Sequence, residues 1–459
     1  MHRTAVPLFL VLGGCPAASE PCACDEGQGV VLCEAGDCSP CQCLGYATPT
    51  VDPTPVTTRF VDADASGGDG SESAPWATPD WAVLDADVAV GDVLVIFDAS
   101  DTWPERLAIG RTDLGPNRVV LDGRHSQRTS SGWTAAGTAR ATVPGILTGY
   151  DDVARSRITV RGFDVTGSRD KGIYWRMGDD IVIEDNLIHA NKGTPALSLD
   201  YTSRTGHRST SFVVRNNHIW DQTGEGIYIG GAEGEDLDAH HVVVIENNLI
   251  HDLNHPTSTR HDGINIKDRI RSVTVSRNVV FKTHWGIELA SPSVVTGNLV
   301  FATQSNGLHV TDAWGTGMSG MILEDDVILD GGEAGIYLNA THNTWNDVTL
   351  SRITVAGVVG AAVEAGGDGG ITGTITDVVL ADAKVGLDAW SPMSFALDDC
   401  TVSGVVLTGD RDFAQLAQGC VDAAPEFGDL TVPAGPDGRF FTEDDPWLST
   451  RGGARLEGR

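Results

Sequence analysis

A short phrase, glycine followed by alternating apolar and polar residues, recurs from about Arg157 onward. Its copies are Gly172-Ile173-Tyr174-Trp175, Gly226-Ile227-Tyr228-Ile229, Gly263-Ile264-Asn265-Ile266, Gly286-Ile287-Glu288-Leu289, Gly307-Leu308-His309-Val310 and Gly335-Ile336-Tyr337-Leu338. A degenerate copy, Leu197-Ser198-Leu199, fills the wide gap between the first two. Period-two alternation predicts a strand at each copy, with Ile264 and Ile266 facing inward and Asn265 and Lys267 facing out. Between the copies runs a second phrase, apolar-x-apolar-x-x-Asn-x-apolar. It sets Asn186, Asn217, Asn248, Asn278 and Asn298 at one point, and Asp326 continues the series. Two strands per unit, at spacings in the twenties and low thirties, predict a solenoid.

The repeated asparagine has a physical role at the bend between two short strands. Its amide bonds the backbone of its own turn and the amide of the next coil, so a polar ladder is expected. Outward residues of successive strands stack into two columns. One holds Tyr174, Ser198, Tyr228, Asn265, Glu288, His309 and Tyr337; the other holds Arg176, Asp200, Gly230, Lys267, Ala290, Thr311 and Asn339.

Repeated strands, asparagine bends and few helices resemble a right-handed parallel β-helix of the pectate lyase-like superfamily, over roughly residues 58–430. The expected fold class is therefore all-β, a parallel solenoid with a short N-terminal capping helix. Thr78 before Pro79 suits a helix N-cap with proline at the first turn, and Trp81 to Leu84 continue an apolar face. The stretch from Val61 to Thr78, with Gly91 to Val95 after it, is similar to the opening segment of surface β-helix proteins and of alginate- and chondroitin-lyase relatives.

Composition agrees: 459 residues with 55 glycines and few aromatics favour strands and tight turns over helices. A formal charge of −32 excludes general binding to nucleic acid or to an anionic bilayer, because the molecular field repels polyanions. Residues 1–14 combine an early arginine with an apolar run too short to span a bilayer, and end at Leu12-Gly13-Gly14-Cys15. This resembles a bacterial lipoprotein signal, with an ordinary secretory signal as the alternative. The resemblance implies lipidation of Cys15, export, and anchoring at an outer membrane or cell surface by lipid alone.

Eight further cysteines remain. Cys22, Cys24, Cys33, Cys38, Cys41 and Cys43 crowd into a segment at 15–45, read as disulfide-stapled with a metal knot as the alternative. Cys400 and Cys420 are expected to pair with each other. Residues 46–57 form a Pro/Thr-rich linker, and 431–459 an acidic tail or cap. In that tail, Gly435 to Gly438 and Glu443 to Asp445 suit either calcium or an exposed acidic turn.

Rings beside amides, a lysine, a carboxylate and a histidine suit a sugar chain, which needs flat stacking surfaces and hydrogen-bond partners. The expected partner is a polysaccharide or cell-surface glycan bound by a monomer, with Tyr174, Arg176, Asp200, Tyr228, Asn265 and Tyr337 as substrate-binding residues. Binding without turnover is the first reading. The alternative is a uronan lyase acting by β-elimination, with catalytic Lys267, His309 and Glu288.

The lyase resemblance makes Lys267 the base. The arginine those lyases place on the next coil falls at Ala290, and their acidic calcium ligands near Tyr228 and Gly230. Glu233, Glu235, Asp236 and Asp238 are the acids left to hold Ca²⁺. Arg260, Lys267, Arg269, Arg271, Arg277 and Lys282 read as a basic band. Polygalacturonase-type chemistry needs clustered carboxylates, and Asp200, Glu288 and Glu324 to Asp326 read as scattered.

Overall fold

The computed structural model describes residues 30–34, 37–44 and 57–422, less the segments 111–115, 149–152, 200–208, 231–239, 254–260, 313–316, 390–392 and 409–419. Cys15, Asp200, the acids Glu233, Glu235, Asp236 and Asp238, and the 435–445 loop lie outside the described residues. The chain divides into two compact units, Met1–Val56 and Thr57–Arg459. In the first, Val30–Glu34 pairs antiparallel with Asp37–Leu44. Among the described residues no helix is long and apolar enough to cross a membrane.

The second unit is a right-handed parallel β-helix, the fold expected from the repeat. Most coils lay down three strands where the phrases predicted two, for example Ile264–Ile266, Val273–Ser276 and Val279–Phe281. The reason is that the asparagine phrase contains a bend: its first apolar pair and its last apolar residue belong to different strands. Strands of the glycine phrase stack into one 12-stranded sheet. The other two sets form a 24-stranded hydrogen-bonded network, joined through long strands such as Ile371–Ala381 that run on past the bend. Ile264, Ile266, Val273, Val275 and Val280 are buried together in the core.

The bend takes one residue in the left-handed region, just before each rung: Asp185, Asn216, Asn247, Arg277, Gly297 and Asp325 all have positive φ. Aspartate, asparagine and glycine tolerate that conformation, which is why they dominate the position. The rungs form the predicted ladder. Asn217 Nδ2 donates to Asn248 Oδ1 at 3.0 Å, Asn248 Nδ2 to Asn278 Oδ1 at 3.0 Å, Asn278 Nδ2 to Asn298 Oδ1 at 3.0 Å and Asn298 Nδ2 to Asp326 Oδ1 at 2.9 Å. Asn217, Asn248 and Asn278 also close their own turns, as Asn248 Nδ2 does on the Glu246 carbonyl, and Asn248 Nδ2 also reaches the Val214 carbonyl of the preceding coil.

Replacing Asn248 by alanine is expected to cost about 3 kcal/mol, because both neighbouring rungs lose a partner they cannot replace with water. A free energy of denaturant unfolding that falls by less than about 1 kcal/mol would contradict the ladder's structural role.

At the N-terminal end, helix Trp81–Val88 buries Leu84 and Val88 against the first coils. Its N-cap is Asp80 rather than Thr78: the Asp80 carboxylate accepts from Ala82 N at 3.1 Å and Val83 N at 3.2 Å. Pro79 therefore precedes the cap and does not open the helix. At the other end Cys400 and Cys420 form the expected disulfide between register partners on adjacent strands.

Candidate functional site

The outward column of the 12-stranded sheet is in register as the phrase predicted. Tyr174 lies beside Ser198, Ser198 beside Tyr228, Tyr228 beside Asn265, Asn265 beside Glu288, Glu288 beside His309 and His309 beside Tyr337. It continues through Glu364 to Asp388. These are not solvated positions. Ser198, Asn265, Glu288 and His309 are buried although their strand neighbours fill the core.

The second column is less uniform. Arg176 is half-buried, with its backbone N–H on Thr148 Oγ1 at 3.0 Å, and Thr311 pairs with Asn339 in register.

Polar groups converge at the centre. Asn265 Nδ2 donates to Glu225 Oε1 at 3.2 Å and to Asp262 Oδ2 at 3.1 Å. Lys267, 19% exposed, reaches Glu288 Oε2 at 3.3 Å and lies 5.7 Å from the Tyr228 ring centre. Glu225 and Asp262 each stand immediately before the glycine that opens a strand, on neighbouring coils, and the Gly226 N–H donates to the Asp262 carbonyl at 2.9 Å.

Three carboxyl groups thus surround one amide and one ammonium. Burial pushes the Asp262 carboxyl up to about 8; Glu288 and Glu225 push it further, while Lys267 and Asn265 oppose them. Its Oδ1 has no hydrogen-bond partner, as suits a carboxyl that keeps its proton.

This cluster is what sequence reasoning missed. Of the acids read as scattered, Glu288 stands with Glu225 and Asp262, whereas Glu324 and Asp325 are held by Arg352 and Asp326 is in the ladder. The available signal was an acid directly before the repeated glycine in two successive phrases, Glu225-Gly226 and Asp262-Gly263.

The basic band dissolves in three dimensions. Its run wraps one coil, so Arg269 pairs with Asp268, Arg277 sits at the ladder bend and Lys282 pairs with Asp252 beyond the third strand. Only Lys267 of the described members faces the carboxyl cluster.

His309 stands 4.0 Å from Glu288, Nδ1 to Oε1, too long for the hydrogen bond that an acid/base pair needs. Its ring lies edge-on to Trp285 at 4.4 Å between centroids and stacks on Tyr337 at 5.3 Å. Burial, with Lys267 and then His284, lowers its pKa to about 4, so the imidazole is neutral at physiological pH. At the other end of the column Lys171 covers the Tyr174 ring at 4.1 Å and reaches Ser198 Oγ at 3.3 Å.

A separate carboxyl group, Asp62, Asp98 and Asp101, gathers near the capping helix, where Arg128 pairs with Asp62. Burial raises Asp101 to about 6, and the neighbouring aspartates add to the shift.

The model of the right-handed β-helix region matches residues 205–402. No curated protein matches the chain in sequence. Among solved structures the chain is similar to a protein named XylC in complex with xylose, at 11% identity over 81% of this chain and 88% of that one, with a TM-score of 0.47. It is similar to pectate lyase Pel9A at 12% identity, over 86% and 89% of the two chains, with a TM-score of 0.42. Alginate lyase AlyGC shares 11% identity over 87% of this chain and 59% of its own, with a TM-score of 0.43.

Proposed function

We propose that the outward face of the 12-stranded sheet binds a polysaccharide chain, on an exported protein that Cys15 anchors by lipid to an outer membrane or cell surface. One observation carries the binding. Tyrosines, an amide, carboxyl groups and an imidazole line up at one register across neighbouring coils, supplying ring faces and hydrogen-bond partners along the path of a polymer.

A second reading, hydrolysis of that chain, is favoured by the carboxyl cluster. Asp262 holds a proton at neutral pH beside Glu288 and Glu225, the division of roles between acid and carboxylate that glycoside hydrolysis uses. In this reading Asp262 gives its proton to the leaving glycosidic oxygen as its bond to the anomeric carbon breaks, and Glu288 or Glu225 takes a proton from the water whose oxygen bonds to that carbon.

Elimination with Lys267 as base draws less support. The Lys267 Nζ is held against Glu288 at 3.3 Å, and Ala290 brings no charge to stabilise an enolate. A Ca²⁺ ion held by Glu233, Glu235, Asp236 and Asp238 remains part of that alternative.

The test is the mature protein on a panel of neutral and uronic polysaccharides, read for retention, new reducing ends and absorbance near about 235 nm, where eliminated uronates absorb. Retention with reducing ends and no absorbance supports hydrolysis. Retention without product leaves binding alone, absorbance restores the lyase, and absence of retention across the panel overturns the proposal.

A further inference from the structure

We propose that Trp285, His309, Tyr337 and Glu288 form a subsite for an uncharged sugar unit, so that the glycan is not a continuous polyuronate. The inference rests on the binding reading and deepens it. His309 is only 7% exposed, yet neither of its ring nitrogens has a hydrogen-bond partner. A buried imidazole left this way costs stability unless a water or a ligand completes it, and a sugar hydroxyl is one group that would.

The rings set its direction. Tyr337 stacks on His309 at an interplanar angle of 11°, and Trp285 meets it at 67°, so two aromatic rings wall the imidazole. Trp285 is fixed in turn, its Nε1 donating to Ser305 Oγ at 3.1 Å while Ser305 donates to Glu333. A neutral imidazole presents one donor and one acceptor, a match for neighbouring sugar hydroxyls, and the flat walls suit the ring's apolar face.

Charge decides the class of sugar. Glu288 precedes His309 in the column but is held by Lys267, a cation near this end; Glu364 and then Asp388 follow Tyr337, and Glu333 lies behind Trp285, so carboxyl groups outnumber that cation. Burial and then Glu364 raise the Tyr337 phenol, a sign that negative charge is felt there. A uronate seated at this end meets like charge at close range, which disfavours it strongly. At the other end of the same column Lys171 lies over the Tyr174 ring, away from these carboxyl groups, so any acidic unit of a mixed polymer belongs there.

The test is affinity electrophoresis of the full mature protein through gels holding a neutral polysaccharide, such as xylan or a β-glucan, or a polyuronate. The wild type is expected to be retarded more by a neutral polymer. His309→Phe, which keeps the ring stack and removes both nitrogens, is expected to weaken that retardation at least about tenfold, and His309→Gln to restore most of it. An unchanged neutral affinity in His309→Phe overturns the subsite, as does tighter wild-type binding of the polyuronate, which is decisive even if that variant fails to fold. Absence of binding to both classes overturns the function proposed above along with it.

Discussion

Asp326→Asn is expected to stabilise the protein by a few kcal/mol at about pH 9 and to change little at about pH 5. Asp326 is the last rung of the ladder and is fully buried. Its Oδ1 accepts from Asn298 N at 2.8 Å and Asn298 Nδ2 at 2.9 Å, but its Oδ2 has no partner. Burial raises its pKa to about 8; the Asn298 bonds oppose the shift, and Asp325 and Glu324 add to it.

The sign follows from the two states. In the unfolded chain the group ionises near about pH 4, while the folded protein keeps the proton to about pH 8. Between those values the native state binds a proton that the unfolded state has released, so stability falls as pH rises across the window. An asparagine keeps the ladder's acceptor, supplies donors and has no proton to lose. Its advantage therefore grows from low to high pH. Denaturant midpoints of the two proteins at the two pH values measure it, and an equal shift at both, or a loss at high pH, contradicts the neutral rung.

In the hydrolysis reading Asp262→Asn has the largest expected effect on turnover, a loss of at least about a thousandfold, with glycan affinity changed by less than about threefold. The amide keeps the volume and can still meet Asn265, but it cannot deliver a proton to a leaving oxygen. The wild-type rate carries the same signature in pH: activity should fall as pH rises through about 8, where Asp262 loses its proton. Initial rates of reducing-end release across pH check both. A variant that keeps a tenth of the activity or more removes Asp262 from the chemistry.

The repeat made the sheet and the ladder legible because both depend on one-dimensional regularity. Alternation fixed which of Ile264, Asn265 and Ile266 face inward, and the asparagine phrase fixed the rungs through Asn298 to Asp326. The site was legible only as a column. Asn265, Glu288 and His309 were found because they occupy the same place in the phrase.

Glu225 and Asp262 were missed because they sit one residue outside it, in turns whose sequences differ from coil to coil, and only stacking brings them together. The basic run misled for the complementary reason: adjacency along one coil spreads side chains around the solenoid and does not place them on one face. The helix cap shifted from Thr78 to Asp80 because either residue can accept the first N–H groups, and only the backbone path selects between them.

The most direct test of the central claim is the affinity of the mature protein for its best-retained polysaccharide, measured by titration calorimetry beside Tyr228→Ala and Tyr337→Ala. Both tyrosines stand on the outward column, one on each side of the carboxyl cluster. The account predicts that each substitution weakens binding about tenfold or more with the unfolding midpoint nearly unchanged. Wild-type affinity in both variants would place the glycan elsewhere and contradict the account.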